Sequence, residues 1–301
     1  MGFYKTLAIV AEQIEPMITK YNRKFGNRPL PEKLRLKLIT PPSGNPKLGK
    51  SSILNCGLFL SAAEIAEGES NCKWSTESCR ANCIVYTGRA EFIPSINRAR
   101  INRTLLYRNN FDQFLDRFCS DLVKIRHYQL ASGTPVAFRF NGTTDLDWSH
   151  LRAIIPNYWN WNFYDYTKRP LALSRPILKW AHLTYSLDCS FAPNMRVARA
   201  WIRECRNIAV IFRKKPTLNF PSFLKFIVDG REIVRPVVDG DRTDLRFTDP
   251  AGCVVGLRAK GRLRRDRSLF ALPNSRNLVV DLDNCKVTDG EEQLLDNSDL
   301  V

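Results

Sequence analysis

The chain has 301 residues, 44% of them hydrophobic, with 46 basic against 30 acidic residues and a formal net charge of +16. This length can bury one large core, and no apolar run reaches the roughly 20 residues of a membrane-spanning helix, so a soluble, cytoplasmic protein is expected. The positive charge predicts attraction to polyanions. Nine cysteines without a secretory signal indicate a reducing compartment, where clustered thiols bind metal more often than they pair.

The first predicted element is an amphipathic helix, followed by an extended arm. Four apolar residues recur at helical spacing, namely Leu7, Val10, Ile14 and Ile18. Residues 28–50 contain five prolines, which favours extended backbone. Within them GNPKLGKSS resembles a phosphate-binding loop but lacks the four-residue spacer and the preceding strand of a nucleotide-hydrolysing one. We expect residues 1–45 to form an N-terminal helix and a proline-rich arm.

Strands and helices alternate along the rest of the chain. SILNCGLFL at 52–60 predicts a strand, residues 93–130 predict one or two core helices, and short apolar runs predict strands that begin near 136, 162, 183, 208, 237 and 253. Such alternation implies parallel pairing, with functional side chains at the carboxyl ends of the strands. We therefore expect an α/β fold, a complete or partial (β/α) barrel over residues 46–261, and a basic C-terminal extension with an acidic tail over 262–301.

Three of the cysteines fall within one polar segment at 71–83, NCKWSTESCRANC: Cys72, Cys79 and Cys83. If Cys79 and Cys83 lie on one helical turn, their i, i+4 spacing puts both sulfurs on one face. Thiolates bind iron–sulfur clusters and zinc strongly. The pattern is consistent with an iron–sulfur centre that has an open position, and equally with a structural zinc site closed by a fourth ligand. Four residues could supply that ligand, namely Cys56, His127, His150 and His182.

Basic residues cluster in two places, which makes them candidate nucleic-acid contacts because phosphate neutralisation needs only such clusters. The first cluster ends the apolar run at 208: Arg213, Lys214 and Lys215. The second is the densest in the chain: Arg258, Lys260, Arg262, Arg264, Arg265 and Arg267. Trp159 and Trp161 could stack on bases, but aromatic residues at alternating positions favour the core.

Several predicted strands end in polar side chains. Lys168 follows the strand at 162 and either reaches an anionic ligand or is solvated. Asp239, Asp241 and Asp244 suggest either a divalent-metal loop or a turn with Asx caps, and the turn is the simpler interpretation.

Five segments together resemble a family of bacteriophage proteins, the gene product 88 group: GNPKLGK (44–50), CRANCIVYTGR (79–89), FRFNGTTDLDW (138–148), FYDYTKRP (163–170) and VDGDRTDLRFTDPAGCVVGLRAKG (238–261). The order of the cysteines and the predicted barrel is also similar to radical S-adenosylmethionine enzymes. The spacing C-x6-C-x3-C departs from the C-x3-C-x2-C that is usual in that superfamily.

The second resemblance implies a 4Fe–4S cluster on Cys72, Cys79 and Cys83, with bound S-adenosylmethionine. Its cofactor contacts would be strand-end residues: Asn141, Thr144, Asp145, Lys168 and Ser186. A turn capped by Asn141 explains residues 141–145 equally well.

The expected function is that of an iron–sulfur enzyme that acts on nucleic acid or nucleotides in the cytoplasm of an infected host cell. The alternative is a zinc-stabilised basic protein that binds nucleic acid without catalysis. A third possibility is a virion or host-interaction protein whose cysteines are structural.

Overall fold

A computed structural model describes residues 2–25, 34–42, 52–66, 68–213, 218–265, 267–290 and 292–294. The chain separates into two compact units. Unit 1 comprises Met1–Asn71 and Arg98–Tyr164, and unit 2 comprises Cys72–Asn97 and Asp165–Val301. The domain boundaries predicted from the sequence at residues 45 and 261 are not tested by this division. In the described ranges, no helix combines the length and the apolar character that crossing a membrane requires.

In chain order the helices are α1 (Gly2–Phe25), α2 (Glu77–Ala81), α3 (Arg89–Phe92), α4 (Pro94–Asn109), α5 (Phe111–Ser132), α6 (Ser149–Arg152), α7 (Leu171–Leu178) and α8 (Ala192–Arg203). The strands are β1 (Ile39–Thr40), β2 (Leu54–Leu58), β3 (Val136–Arg139), β4 (Asn162–Thr167), β5 (Ala181–Ser186), β6 (Ile208–Arg213), β7 (Phe223–Val228), β8 (Arg231–Asp239), β9 (Val254–Arg258), β10 (Ala271–Pro273), β11 (Leu278–Asp281), β12 (Lys286–Asp289) and β13 (Glu292–Leu294). Short 3-10 helices lie at Ile84–Tyr86, Asn157–Trp159, Arg246–Thr248 and Gly261–Arg264.

Unit 1 combines a parallel core with long helices. Strands β2, β3 and β4 pair in parallel, and β1 joins β2 in the antiparallel sense. Helix α1 packs against α5, and Leu7, Ile14 and Ile18 are its buried apolar residues. The predicted amphipathic helix is therefore confirmed, and the one or two helices predicted over 93–130 are present as α4 and α5.

A buried carboxylate fixes the start of β1 to helix α5. Asp121 is fully buried and accepts hydrogen bonds of 2.7–3.0 Å from the backbone N–H groups of Lys37, Leu38 and Ile39. These donors replace the water that the charge loses on burial. The end of the predicted arm is thus held in place, while the segment GNPKLGK at 44–50 lies outside the described residues.

Unit 2 contains a larger set of strands, in the order β5-β6-β9-β8-β7-β11-β12-β13, with β10 also paired to β6. The first four are parallel. Strands β7 and β8 form an antiparallel hairpin whose turn residues Asp229 and Gly230 both have positive φ, +54° and +70°. That combination is typical of the type I′ turns that match strand twist.

The chain therefore has a mixed α/β fold, as the alternating pattern predicts. All six strands expected from the short apolar runs are present. The pairings of the described strands do not form a closed ring, so the predicted barrel is not confirmed. Strands β7 and β10–β13 were missing from the prediction, and the antiparallel β7–β8 hairpin interrupts the expected alternation of strand and helix.

Candidate functional site

The cysteine segment contains a short, capped helix. The Thr76 hydroxyl oxygen accepts a hydrogen bond from the backbone N–H of Cys79 at 3.1 Å and so caps α2 at its N-terminus. Helix α2 ends at Ala81, and Cys83 lies beyond it with extended backbone, φ −57° and ψ 139°. The condition under which Cys79 and Cys83 would place both sulfurs on one helical face is therefore not met, because the helix stops before Cys83.

The thiols of Cys72, Cys79 and Cys83 are half-buried and not disulfide-bonded. The described ranges contain every cysteine and histidine of the chain, and within them no group of three or more His, Cys, Asp and Glu residues could hold a metal ion. The thiols as placed here do not fit an iron–sulfur cluster or a zinc ion, and metal binding stays a prediction. Of the proposed fourth ligands, Cys56, His127 and His150 belong to unit 1 and His182 belongs to unit 2.

Two polar contacts tie the cysteine segment to the loop after β5. The Thr76 hydroxyl donates a hydrogen bond to the fully buried carboxylate of Asp188, which also accepts from the backbone N–H of Ser190 at 3.0 Å. The hydroxyl oxygens of Ser78 and Ser190 lie 2.8 Å apart. The start of α2, and with it Cys79, is thus held at the carboxyl end of a parallel strand.

Lys168 and Ser186, two of the predicted cofactor contacts, meet at the same strand ends. Lys168 is only 7% exposed, and its Nζ donates to the Ser186 carbonyl oxygen at 2.8 Å. The same nitrogen lies 5.4 Å from the centre of the Phe270 ring. A solvated lysine was the alternative left open, and burial shows that alternative to be wrong. Whether Lys168 binds a cofactor stays a prediction.

The other three predicted cofactor contacts lie in unit 1, in the turn after β3. Asn141 Oδ1 accepts from the Thr144 hydroxyl at 2.8 Å, from the Leu146 backbone N–H at 2.9 Å and from Trp148 Nε1 at 2.8 Å. Its Nδ2 donates to the Leu146 carbonyl oxygen at 3.0 Å. The Asn141 amide therefore closes a turn, in agreement with the structural alternative, and cofactor binding by Asn141, Thr144 and Asp145 stays a prediction.

The predicted nucleic-acid contacts divide into paired and exposed residues. Arg213 donates from Nη1 to the Ser268 carbonyl oxygen at 2.8 Å, and Lys260 forms a 3.1 Å ion pair with Asp241. Arg258 is half-buried. Four arginines are exposed: Arg262, Arg264, Arg265 and Arg267. Lys214 and Lys215 lie outside the described residues.

One of the exposed arginines adjoins the residues that follow the cysteine segment. The Arg262 guanidinium lies 5.7 Å from the centre of the Tyr86 ring. Gly261 has a φ of +53°, and a Cβ built on it would lie 2.8 Å from Thr87 Cγ2. A glycine at this position therefore allows the two backbones to approach closely.

Large apolar side chains are exposed along the same stretch. They are Ile84, Tyr86, Phe92 and Ile93, and Phe92 is 79% exposed. We call the exposed residues Tyr86, Arg89, Phe92, Arg262 and Arg264 together the arginine–aromatic face. The basic cluster was predicted from sequence, but the two aromatic residues were not. The signal available was the apolar run IVY within an otherwise polar segment.

Two structural alternatives offered by the sequence are confirmed. Trp159 and Trp161 are 1% and 7% exposed and belong to the core, not to a stacking platform. The backbone N–H of Asp241 donates to Asp239 Oδ1 at 2.9 Å, which is the hydrogen bond of an Asx turn. The aspartates of this loop therefore have a structural explanation.

These features define a basic, mixed α/β protein with a cysteine-rich segment held at a strand end and an exposed arginine–aromatic face. The chain belongs to the phage Gene product 88 family, whose sequence profile matches residues 18–273. No curated protein and no solved structure matches the chain. The predicted family resemblance is thus confirmed, whereas no comparison supports a resemblance to radical S-adenosylmethionine enzymes.

Proposed function

We propose that the protein binds nucleic acid in a phage-infected cell through the arginine–aromatic face of unit 2. The observation that carries this proposal is the packing of Arg262 against Tyr86, whose 3-10 helix contacts α3, the helix that carries the exposed Phe92. Arginines neutralise phosphates, and aromatic rings offer surfaces on which bases stack. The net charge of +16 adds a long-range attraction to any polyanion.

The chemistry of the face favours single strands over duplexes. A base can stack on Tyr86 or Phe92 only when its own face is open, as in single-stranded nucleic acid. Helix α3, which presents Arg89 and Phe92, spans four residues, a single turn and too short to read a major groove. Contacts to phosphates and base faces carry little sequence information, so we expect weak sequence preference.

The decisive experiment removes three of the exposed charges. A variant with Arg262→Gln, Arg264→Gln and Arg265→Gln should bind a fluorescent single-stranded oligonucleotide at least tenfold more weakly in low salt. Each phosphate contact on a single strand contributes about 0.7 to the slope of log affinity against log salt. The slope should therefore become shallower by about 2, measured by fluorescence anisotropy across a salt series.

A matched control removes the same charge from elsewhere on the surface. Arg117, Arg196 and Arg231 are also exposed, and their joint replacement by glutamine should leave most of the affinity intact. Equal weakening by both triple variants would mean that net charge alone governs binding. Full affinity in the first variant would likewise reject the arginine–aromatic face.

The second candidate is an iron–sulfur protein that uses S-adenosylmethionine on a nucleic acid or nucleotide, with the partial barrel as its scaffold. The contact between Thr76 and Asp188 favours it, since this contact holds Cys79 near the strand ends where Lys168 lies. Zinc on the same three cysteines is the alternative. Either metal would require the thiols to rearrange, because within the described residues they do not form a group that could hold a metal ion.

Metal analysis of protein purified without oxygen separates these possibilities. Iron with acid-labile sulfide, lost in a Cys79→Ser variant, would support the cluster. One zinc per chain, lost in the same variant, would support the structural alternative. Absence of iron, sulfide and zinc from the wild-type protein would reject both and leave the nucleic-acid proposal unaffected.

A further inference from the structure

One of the buried charged groups of unit 2 is the side chain of Arg246. It is fully buried, and one of its nitrogens, Nη2, donates to the Thr243 carbonyl oxygen. Nη1 lies 3.3 Å from Asp249 Oδ2, yet Nε and Nη1 make no hydrogen bond with any described residue. A buried guanidinium with unused donors is strongly unfavourable unless a partner satisfies them.

Several other side chains of unit 2 carry buried polar atoms without a hydrogen bond to any described residue, and three of them lie on β5 or just before β6. Thr184 Oγ1, Asn207 Nδ2 and His182 Nε2 make no hydrogen bond with the residues that the structure describes. Thr184 is fully buried and Asn207 is 3% exposed. Buried polar side chains almost always have hydrogen-bond partners. Several buried polar atoms without one in the same region therefore need a common explanation.

The strand register brings Thr184 and Asn207 together. Ser186 of β5 pairs with Ala209 of β6 in parallel, and side chains two residues apart share a face. Thr184 and Asn207, each two positions earlier, therefore lie side by side on that face. Asn207 Oδ1 accepts a hydrogen bond from the backbone N–H of Cys253 at 3.3 Å, so the start of β9 continues the row.

Arg246 lies near this row of side chains, because its 3-10 helix packs against β5, the strand that carries Thr184. Burial lowers the pKa of His182 on β5, and the Arg246 charge lowers it further. Burial also raises the pKa of Cys253 to about 11, and Arg246 opposes that rise. The guanidinium is thus within electrostatic reach of both strands that flank Asn207.

The absence of a side chain at Gly240 makes room for the guanidinium of Arg246. A Cβ built on Gly240 would lie 2.9 Å from Arg246 Nη1 and 2.5 Å from Val255 Cγ1. Any larger residue would therefore push the guanidinium or the strand out of place. The Arg246 side chain is therefore held in position by the atoms packed around it.

We infer that Arg246, Thr184 and Asn207 form an internal site for one small oxyanion, either inorganic phosphate or the phosphoryl group of a nucleotide. The unused groups include two guanidinium N–H groups, a hydroxyl and an amide NH₂, all of which can donate. A tetrahedral oxyanion offers several acceptor oxygens, and a guanidinium suits two of them at once. The carboxylate of Asp249 would give up its contact with Nη1 to the ligand. This site is separate from the arginine–aromatic face.

The test titrates phosphate-free protein with inorganic phosphate, and in a second arm with a deoxynucleoside monophosphate, by calorimetry. The full chain should bind one equivalent of at least one of them. Thr184→Val keeps the shape of the side chain and removes its hydroxyl, so affinity should fall at least fivefold. Arg246→Met should abolish binding. If Arg246→Met does not fold, the phosphate affinity of Thr184→Val still tests the internal site.

The surface triple variant at Arg262, Arg264 and Arg265 is the matched control. It should keep phosphate affinity within twofold of wild type while losing oligonucleotide affinity. The proposal of an internal site and the proposal of a nucleic-acid surface are thereby tested independently. Tighter binding of the nucleotide than of phosphate identifies a phosphoryl ligand, and equal binding identifies the free ion. No binding by the wild type, or unchanged binding by Thr184→Val, would mean that structural water satisfies these groups, and would overturn the inference.

Discussion

The guanidinium of Arg262 lies 5.7 Å from the centre of the Tyr86 ring. Tyr86 is still 37% exposed, so this pair joins a cation that can neutralise phosphate to a ring on which a base can stack. The two residues are 176 positions apart in the sequence. They form part of one binding face only because the fold brings them together.

Tyr86→Ala should weaken binding of single-stranded oligonucleotide roughly 5- to 100-fold, because each stacked base contributes about 1–3 kcal/mol. Tyr86→Phe keeps the ring and should bind within threefold of wild type. Anisotropy titrations at fixed salt measure both. Phe223 of β7 is also exposed, at 41%, and Phe223→Ala serves as the control. Wild-type affinity in Tyr86→Ala would exclude stacking on this ring.

Thr76→Val should destabilise the protein by about 2–4 kcal/mol. The substitution removes the cap of α2, a loss of about 1 kcal/mol, and deprives the buried Asp188 carboxylate of a donor, a loss of about 1–3 kcal/mol. Urea unfolding monitored by circular dichroism measures the difference. Thr76→Ser retains the hydroxyl and should cost less than about 1 kcal/mol. Equal stability of the two variants would show that the hydroxyl contacts contribute nothing.

Asp121→Asn should lower the free energy of unfolding by roughly 2–4 kcal/mol, because a charged acceptor of several backbone N–H groups becomes a neutral amide with one acceptor oxygen. The matched control is Asp116→Asn on the exposed side of the same helix, with an expected effect below about 0.5 kcal/mol. Urea unfolding again gives the measurement. Similar losses in both variants would contradict a special role for the buried carboxylate.

Buried thiols should make the protein less stable at high pH. Burial raises the pKa of Cys119 to about 12, whereas a thiol in the unfolded chain ionises near pH 8.5. Above about pH 9 the folded state therefore binds more protons than the unfolded state, and stability falls as pH rises. The slope is about 1.4 kcal/mol per pH unit for each thiol that stays protonated.

Urea unfolding at several values between pH 8 and 10.5 measures this slope, and Cys119→Ala should reduce it by one thiol's share. Burial also raises the pKa values of Cys56 and Cys189. Alkylation of the native protein at pH 8 should therefore spare Cys56, Cys119 and Cys189 and modify the exposed Cys205. Rapid alkylation of Cys119, detected by mass spectrometry, would show that its surroundings open.

Local patterns predicted the elements whose signals are local. The apolar spacing of α1, the long helical stretch over 93–130 and the strand at 52–60 all depend on residues within a few positions of one another. The β7–β8 hairpin also has a local sequence signal, because an Asp-Gly pair, Asp229-Gly230, stands between two apolar runs. The prediction from sequence did not use this pair. Cys79 and Cys83 do not share the helical turn that would put both sulfurs on one face, since α2 ends at Ala81 with Asn82 as its C-cap residue.

The amino-acid sequence by itself determined the mixed α/β class, the family and the basic character, because periodicity, motif and charge are properties of the chain that need no folding to exist. Only the tertiary structure decided which residues meet. Thr76 reaches Asp188 across 112 positions, Lys168 is buried against the Ser186 carbonyl oxygen, and the 3-10 helix that carries Arg246 packs against β5. Such contacts arise when distant segments pack around shared apolar surfaces, and no pattern confined to neighbouring residues encodes them.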